Sequence, residues 1–420
     1  MKPGMEDLLF LVHRIPYPPN KGDKIRSFHL LKYLAQRYRV HLGTFIDTPE
    51  DWRYVDAVRA LCGEIHIASL GSGWGRLSSL AGLWRNWALT VAYYRNTGLQ
   101  HWVDQVLQRL VIRRVLVFSS AMAQYVEGPA YRHLHRVIDF VDVDSDKWAQ
   151  YSRRRPWPLS GLYRRESRML LSFERRVAAE FSASIFVTAE EAALFRQRAP
   201  DAAYVTHVGN GVDSDFFNPE RDYPNPYLPT AAPVLVFTGA MDYWANIDAV
   251  CWFAREVLPS IRRRLATVRF AIVGARPTVV VRQLERLPGV QVIGAVRDIR
   301  PYLAHAQVAV APLRIARGVQ NKVLEAMAMA RPILLTRAAA DGLLPCPVLE
   351  PWIADAPQDL ANLAVRLLTV ADRGAAALGR RWVQQYHNWS IHLGRFEQLL
   401  ESEPPPTVTA AEYDFAGGVS

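Results

Sequence analysis

The stretch ARGVQNKVLEAMAMAR, Ala316 to Arg331, places an amine and a carboxylate three residues apart near the start of one helix. Gly318 and Asn321 suit a helix start, Lys322 falls in the first turn, and Pro332 ends the pattern. Side chains three apart are neighbours on a helix, so Lys322 and Glu325 can be read as an ordinary surface pair. The sharper reading is anion chemistry. Uncapped N–H groups and the helix dipole favour a negative charge at this end, and a cation there is unfavourable to the helix unless an anion sits beside it. Glu325, one turn on and on the same face, can accept two hydrogen bonds from a vicinal diol such as a ribose. Ala326, Ala328 and Ala330 allow close packing around it.

Three other stretches carry side chains of chemical interest. In PPNKGDKIRS, Gly22 with its neighbours Asp23 and Lys24 opens a helix after a strand, where backbone N–H groups can approach a ligand; a tight turn without a ligand fits as well. VIDFVDVDSDKW has Asp142 and Asp144 at a strand end, extended by Asp139 and Asp146. A calcium loop would also need its glycine and terminal Glu at the proper spacing, and neither is present, so no metal is expected. Loop capping, or a carboxylate facing an acceptor hydroxyl, remains. HVGNGVDSDFFNP, with Asn210 and Gly211, reads as a well-made turn at a domain edge.

The elements that position these residues follow from hydrophobic patterning. Strand-like runs occur at Leu8–Val12, Val40–Ile46, Glu64–Leu70, Val115–Ser120, Arg136–Val143 and Ser184–Thr188. Between the first two, Ile25, Phe28, Leu31, Leu34 and Ala35 are spaced to line one helical face. The second half repeats the grammar with VLVFTG, a helix from about Asn246 to Arg264, VRFAIVG, a helix around Val279 to Leu287, VQVIG, VAVAPL and PILLT. Such alternation gives α/β domains with mostly parallel, doubly wound sheets, whose ligands bind beyond the carboxyl ends of the strands. The loops to watch are therefore HRIPYPPNKGDK, GAMDYWAN with Gly239, Asp242 and Asn246, GARPT with Gly274 and Arg276, RIARGVQNK and RAAADG. FNPERDYPNPYLPTAAP, 217–233, reads as a linker between a first domain, 1–216, and a second, 234–380. Arg381–Glu401 reads as helical and long enough to return to the first domain, and 403–420 as a disordered tail.

Composition narrows the classes. At 420 residues two domains are the default, and 50% apolar residues suffice for two cores. No run reaches the length of a membrane span, and the N-terminus lacks a secretory signal pattern, so a cytoplasmic location is expected. Cys62, Cys251 and Cys346 form no pairable framework. Of the net charge of +10, most lies in residues 1–215, with 29 Lys/Arg against 22 Asp/Glu. YSRRRPW and GLYRRESRML interleave this charge with aromatics, which suits anionic lipid heads or other polyanions, or a solvated face. No nucleic-acid motif accompanies it.

Taken in order, the Gly22 entry, VGNGVDSDFFNP, VFTGAMDYWANIDA, AIVGARP, VQVIGAVRDIRPYLAHAQVAVAPL and NKVLEAMAMARPILLT make the chain resemble retaining glycosyltransferases of family 4, which have the GT-B fold of two facing Rossmann-like domains with a cleft between them. More narrowly, HRIPYPPNKGDKIRSFHLLKYLAQRYRVHLGTF, VIDFVDVDSDKW and GAMDYWANIDAVCWFAREVLP are similar to the sugar transferases of exosortase and exopolysaccharide systems. The resemblance implies that Glu325 binds the ribose of a nucleoside-diphosphate sugar and that Lys322 faces its diphosphate. It implies an acceptor domain followed by a nucleotide-sugar domain, retention without a covalent intermediate, no metal and no cofactor. Arg317 stands where the family often has a second Glu, and Ala240 and Asn246 stand at or near places that often hold Arg and Lys. Arg317 or Arg276 would then help Lys322 to supply positive charge. Asp142 is the candidate for orienting the acceptor, which the resemblance suggests is lipid-linked or a glycan. Trp74–Tyr94 can lie in an anionic membrane interface or pack between strands. The rivals are a nucleotide-sugar epimerase of the same architecture and a non-catalytic scaffold.

Overall fold

A computed structural model describes residues 5–19, 22–70, 87–227, 232–316, 318–370 and 373–402. Arg317, most of Trp74–Tyr94 and the 403–420 tail lie outside the described residues.

The chain divides into two compact units, 1–208 with 393–420, and 209–392. The first holds seven parallel strands: β1 (Asp7–Val12), β2 (Arg39–Ile46), β3 (Glu64–Ser69), β4 (Arg114–Phe118), β5 (His135–Val141), β6 (Ala183–Phe186) and β7 (Val205–His207). Their spatial order is β3-β2-β1-β4-β5-β6-β7. β1 reads DLLFLV because both faces of a parallel strand are covered, and its last five residues are fully buried. The order reverses between β1 and β4, which are in register from Leu8 with Arg114 to Val12 with Phe118. Beyond their carboxyl ends lies this sheet's topological switch point.

The second unit holds β8 (Val234–Thr238), β9 (Arg269–Val273), β10 (Val290–Gly294), β11 (Val308–Ala311) and β12 (Ile333–Leu335). They are all parallel and ordered β10-β9-β8-β11-β12, so the switch falls between β8 and β11. Phe237, Phe253, Ile261, Phe270 and Leu324 share one buried cluster over this sheet.

The unit bounds fall at somewhat different residues from those read in the sequence. The first unit ends at Val208, ahead of the proline-rich segment, and Phe217 and Tyr227 of that segment pack into the second core. The C-terminal stretch is two helices, Arg373–Tyr386 and Trp389–Glu401, because His387 and Asn388 leave helical geometry to pair with 210–212. There Val212 N donates to His387 O at 2.7 Å. From Leu393 onward the chain rejoins the first unit, where Tyr33 Oη donates to Glu397 Oε2 at 2.6 Å and Arg114 Nε to Leu400 O at 2.9 Å.

The first helix, Gly22–Leu34, buries Leu31 and Leu34 of the expected face and takes in polar neighbours beside them. Ile25, Phe28 and Ala35 are only half-buried, whereas Lys24, Arg26, Ser27 and Leu30 are buried. Ion pairs make this tolerable: Lys24 Nζ lies 2.7 Å from Asp51 Oδ2, and Arg26 Nε lies 2.6 Å from Asp139 Oδ2. Asp139 is fully enclosed on β5, and burial raises its carboxyl above the usual range against the pull of Arg26. Phe396 of the last helix covers the guanidinium, 5.1 Å from its ring centre. Removing one partner of such a pair strands the other's charge. Arg26→Leu is therefore expected to lower stability by about 3–5 kcal/mol, and adding Asp139→Leu to recover much of it. Urea denaturation of the two variants and of wild type measures both effects.

Candidate functional site

The second unit gathers its sequence-selected residues beyond the carboxyl ends of β8, β9 and β11. Gly239 follows β8 with φ +151°, a conformation that favours glycine, and a Cβ there would lie 2.8 Å from Asn246 Nδ2 and 3.4 Å from Lys322 Nζ. Gly274 follows β9, and its Cβ would fall 1.7 Å from Gly239 O. The two loops therefore touch backbone to backbone, a contact that any side chain at 274 would break. Gly239 N donates to Val273 O at 3.0 Å and Met241 N to Ala275 O at 2.8 Å, which locks the pair together.

Onto this platform comes the helix Asn321–Ala328, reached through Gly318 at φ +61°. No side chain caps its first turn. Asn210 Nδ2 approaches Asn321 Oδ1 at 3.4 Å, so the VGNGVD turn braces the helix start. At the other end Arg380 donates to Ala328 O and, at 2.8 Å, to Phe217 O. Ala330, at φ +49°, and the bond from Arg331 N to Ala326 O at 3.0 Å close the helix before Pro332.

Lys322 is not the solvated half of a surface pair. Its Nζ donates to Asn246 Oδ1 at 2.6 Å and sits 4.5 Å above the centre of the buried Phe237 ring, while Asn246 Nδ2 donates to Ala240 O at 2.9 Å. Desolvation pulls the ammonium down to about 7, opposed by the charge of Glu325. The same burial pushes the Glu325 carboxyl up to about 7, opposed by Lys322. Among the described residues no donor hydrogen-bonds to the Glu325 carboxylate. Asp242 and Arg276 pair with each other at 2.8 Å, half-exposed beside the Gly239–Gly274 contact, and Arg276 holds the unusual φ of +54°. The second unit thus brings together Gly239, Asp242, Asn246, Gly274, Arg276, Gly318, Asn321, Lys322 and Glu325. Arg317 lies outside the described residues.

The first unit treats its candidates differently. Gly22 is an exposed helix start, and Lys24 is no free cation, since Asp51 takes its ammonium in a buried pair. Asp23 lies 2.9 Å from Arg14 and 3.3 Å from His13 Nε2, and Arg14 also reaches Asp47 at 3.0 Å. Burial alone would raise the Asp23 carboxyl, but the bond and charge of His13 and the charge of Arg14 hold it far below the carboxylate range. His13 stacks on Phe118 with centroids 5.8 Å apart. Sequence reading names the loop after β1 without singling out His13 or Arg14 and does not name Asp47; the signal available was that they directly follow β1 and β2.

The aspartates of VIDFVDVDSDKW go to separate partners. Lys147 Nζ bridges Asp142 at 2.7 Å and Asp144 at 3.0 Å, Asp146 pairs with Arg198, and Asp139 with Arg26. Among the described residues no three His, Cys, Asp or Glu stand close enough to hold a metal. Asp142 stays partly exposed, beyond the carboxyl end of β5.

Comparison with known proteins agrees with this architecture. Residues 232–370 match the family model of Glycosyl transferases group 1. No curated protein matches the chain by sequence. Among solved structures, Anabaena HepE in complex with UDP and glucose aligns with TM-score 0.67 at 15% identity, over 95% of this chain and all of that one. Sucrose-phosphate synthase from Thermosynechococcus elongatus aligns with TM-score 0.64 at 16% identity, over 94% of this chain and 98% of that one. WaaG, a glycosyltransferase involved in lipopolysaccharide biosynthesis, aligns with TM-score 0.60 at 16% identity, over 94% of this chain and all of that one. The chain therefore has the GT-B fold, built from two doubly wound Rossmann-like units, and its second unit carries the pattern of Glycosyl transferases group 1.

Proposed function

We propose that the protein is a retaining, metal-independent glycosyltransferase that moves a sugar from a nucleoside-diphosphate sugar to a lipid-linked or glycan acceptor. The observation that carries the reading is a desolvated ammonium, Lys322, held by a neutral amide beside two touching glycine loops at a switch point. A diphosphate there gains the Lys322 charge and the uncapped N–H groups of the helix start, and a phosphate with no side chain in its way can approach Gly239 closely. Glu325 accepts the ribose hydroxyls, and Arg276 swings from Asp242 to the diphosphate. When the glycosidic bond to the diphosphate breaks, negative charge grows on phosphate oxygens, which these preorganised groups stabilise. Asp142 orients the acceptor hydroxyl.

The HepE structure with UDP and glucose supports a UDP-hexose as the first donor to try, and the part of WaaG in lipopolysaccharide biosynthesis supports a cell-surface glycan as product. Together with the similarity of the chain's motifs to exosortase- and exopolysaccharide-associated transferases, this favours work at the inner membrane face. No helix among the described residues is long and apolar enough to cross a membrane, so the contact proposed is peripheral.

Three outcomes are expected. With a UDP-sugar and acceptor the protein releases UDP and forms a glycoside, and added EDTA leaves turnover unchanged. An altered sugar without acceptor would indicate an epimerase, and no reaction with any of a panel of donors a scaffold. Second, Lys322→Ala lowers UDP affinity by at least about tenfold with little change in thermal midpoint, as loss of a charge-assisted bond requires. Because the free ammonium titrates near 7 and a bound diphosphate raises it, UDP binding at pH 8 takes up a proton that Lys322→Ala does not; calorimetry in two buffers of different ionisation enthalpy reads this. Third, Asp142→Asn lowers kcat at least about tenfold and leaves UDP affinity unchanged; intact turnover would remove Asp142 from the acceptor role.

A further inference from the structure

The strongest unassigned surface is a helical hairpin in the first unit. Helix Asp144–Arg154 and helix Leu159–Glu180 pack side by side and are joined by the turn Arg155-Pro156-Trp157-Pro158. At its apex Trp157 is 83% exposed, with Leu159 exposed beside it. A tryptophan set so far into solvent contributes nothing to the core of its own chain. Just below the apex, Trp148 of the first helix contacts Tyr163 of the second at 5.2 Å and Tyr151 at 5.9 Å between ring centroids. These rings tie the two helices together, so the apex stands on a stiff base.

The charge around the apex has one sign. From Arg153 to Arg168 the sequence holds six basic residues and a single carboxylate, Glu166. Glu166 is buried and turned inward, accepting bonds from Leu89 N at 2.6 Å and from Thr90 N and Thr90 Oγ1 at 2.8 Å. It therefore neutralises nothing at the surface. Arg153, Arg155, Arg164 and Arg168 are exposed, and none of the four has an ion-pair partner among the described residues. An apolar, aromatic point with a cationic collar behind it matches the depth order of a bilayer interface, with Trp at headgroup level and guanidinium groups on lipid phosphates. A nucleic acid would use the collar but leave the apex without a role, and a protein partner would need an acidic apolar pocket.

We propose that this hairpin apex is the element that docks the protein on an anionic lipid surface, with Trp157 and Leu159 entering the interface and Arg153, Arg155, Arg164 and Arg168 on the phosphates. It gives the peripheral location proposed above a specific contact and rests on that reading for its purpose. The docking itself does not depend on sugar transfer.

The test is co-sedimentation of the full chain with phosphatidylglycerol-containing vesicles and with pure phosphatidylcholine vesicles, for wild type, Trp157→Ser and Arg153→Glu/Arg155→Glu. Wild type is expected to bind the anionic vesicles and not the neutral ones, and each variant to lose at least about tenfold in partition, with thermal midpoint and UDP affinity unchanged. Variants that sediment as wild type does would overturn the proposal. Equal binding to neutral vesicles would do the same, as would a wild type that ignores lipid but binds polyuridylate. A wild type that docks on vesicles but has no affinity for any nucleotide would instead remove the donor reading and leave the hairpin's role standing.

Discussion

A half-buried ammonium with no carboxylate hydrogen-bonded to it among the described residues is the condition on which the second unit's arrangement depends. Lys322 stands in the first turn of a helix, where the dipole opposes it, and over a buried phenyl ring, where desolvation opposes it. Asn246 Oδ1 and the face of Phe237 offset part of that cost, but neither carries a full negative charge. A surface lysine with four rotatable bonds would escape into water. This one is kept in place because both supports are themselves fixed, Phe237 inside β8 and Asn246 by its second bond to Ala240 O.

The glycine contact is what brings the supports so near. If residue 274 carried a Cβ, the Gly239 carbonyl would have to move, and with it the loop that leads to Asn246. Helix Asn321–Ala328 is fastened at both ends, by Asn210 at its start and by Arg380 at its finish. Arg380 belongs to the helix Arg373–Tyr386, and Asn210 O meets His387 Nδ1 just beyond that helix at 3.2 Å. The position of one amine is thus set by segments more than 100 residues apart in sequence.

That dispersion explains which features the sequence makes legible. All five strands of the second sheet are readable, four of them because parallel strands covered on both faces are continuous apolar runs and the half-buried β10 from its apolar residues Val290, Val292 and Ile293, and the helix start shows in Gly318, Asn321 and Lys322. β7 is not readable: it has three residues, and two of them are only half-buried. The Arg26–Asp139 pair spans 113 residues and leaves no local trace, so the apolar spacing of the first helix points to Ile25 and Phe28 while charged side chains take the interior. Gly274 and Gly239 are each visible as glycines after strands, but their contact is a property of neighbouring strands and of no single motif. His13, Arg14 and Asp47 lie in loops that follow strands, yet their types alone do not distinguish an ion-pair cluster from a ligand site.

The two units share the 3-2-1-4 winding and diverge in how they balance charge at their switch points. In the first unit the described cations after β1 are matched: Arg14 by Asp23 and Asp47, Lys24 by Asp51, Arg26 by Asp139. These pairs offer an incoming anion little: Lys24 and Arg26 are buried, and a contact to Arg14 would have to displace an existing one. In the second unit Lys322 has an amide where the first unit would place an aspartate. An anion arriving there displaces no carboxylate and restores a charge that burial had weakened, which raises the amine's proton affinity as it binds. One winding is thus neutralised at its switch point in one unit and left short of negative charge in the other.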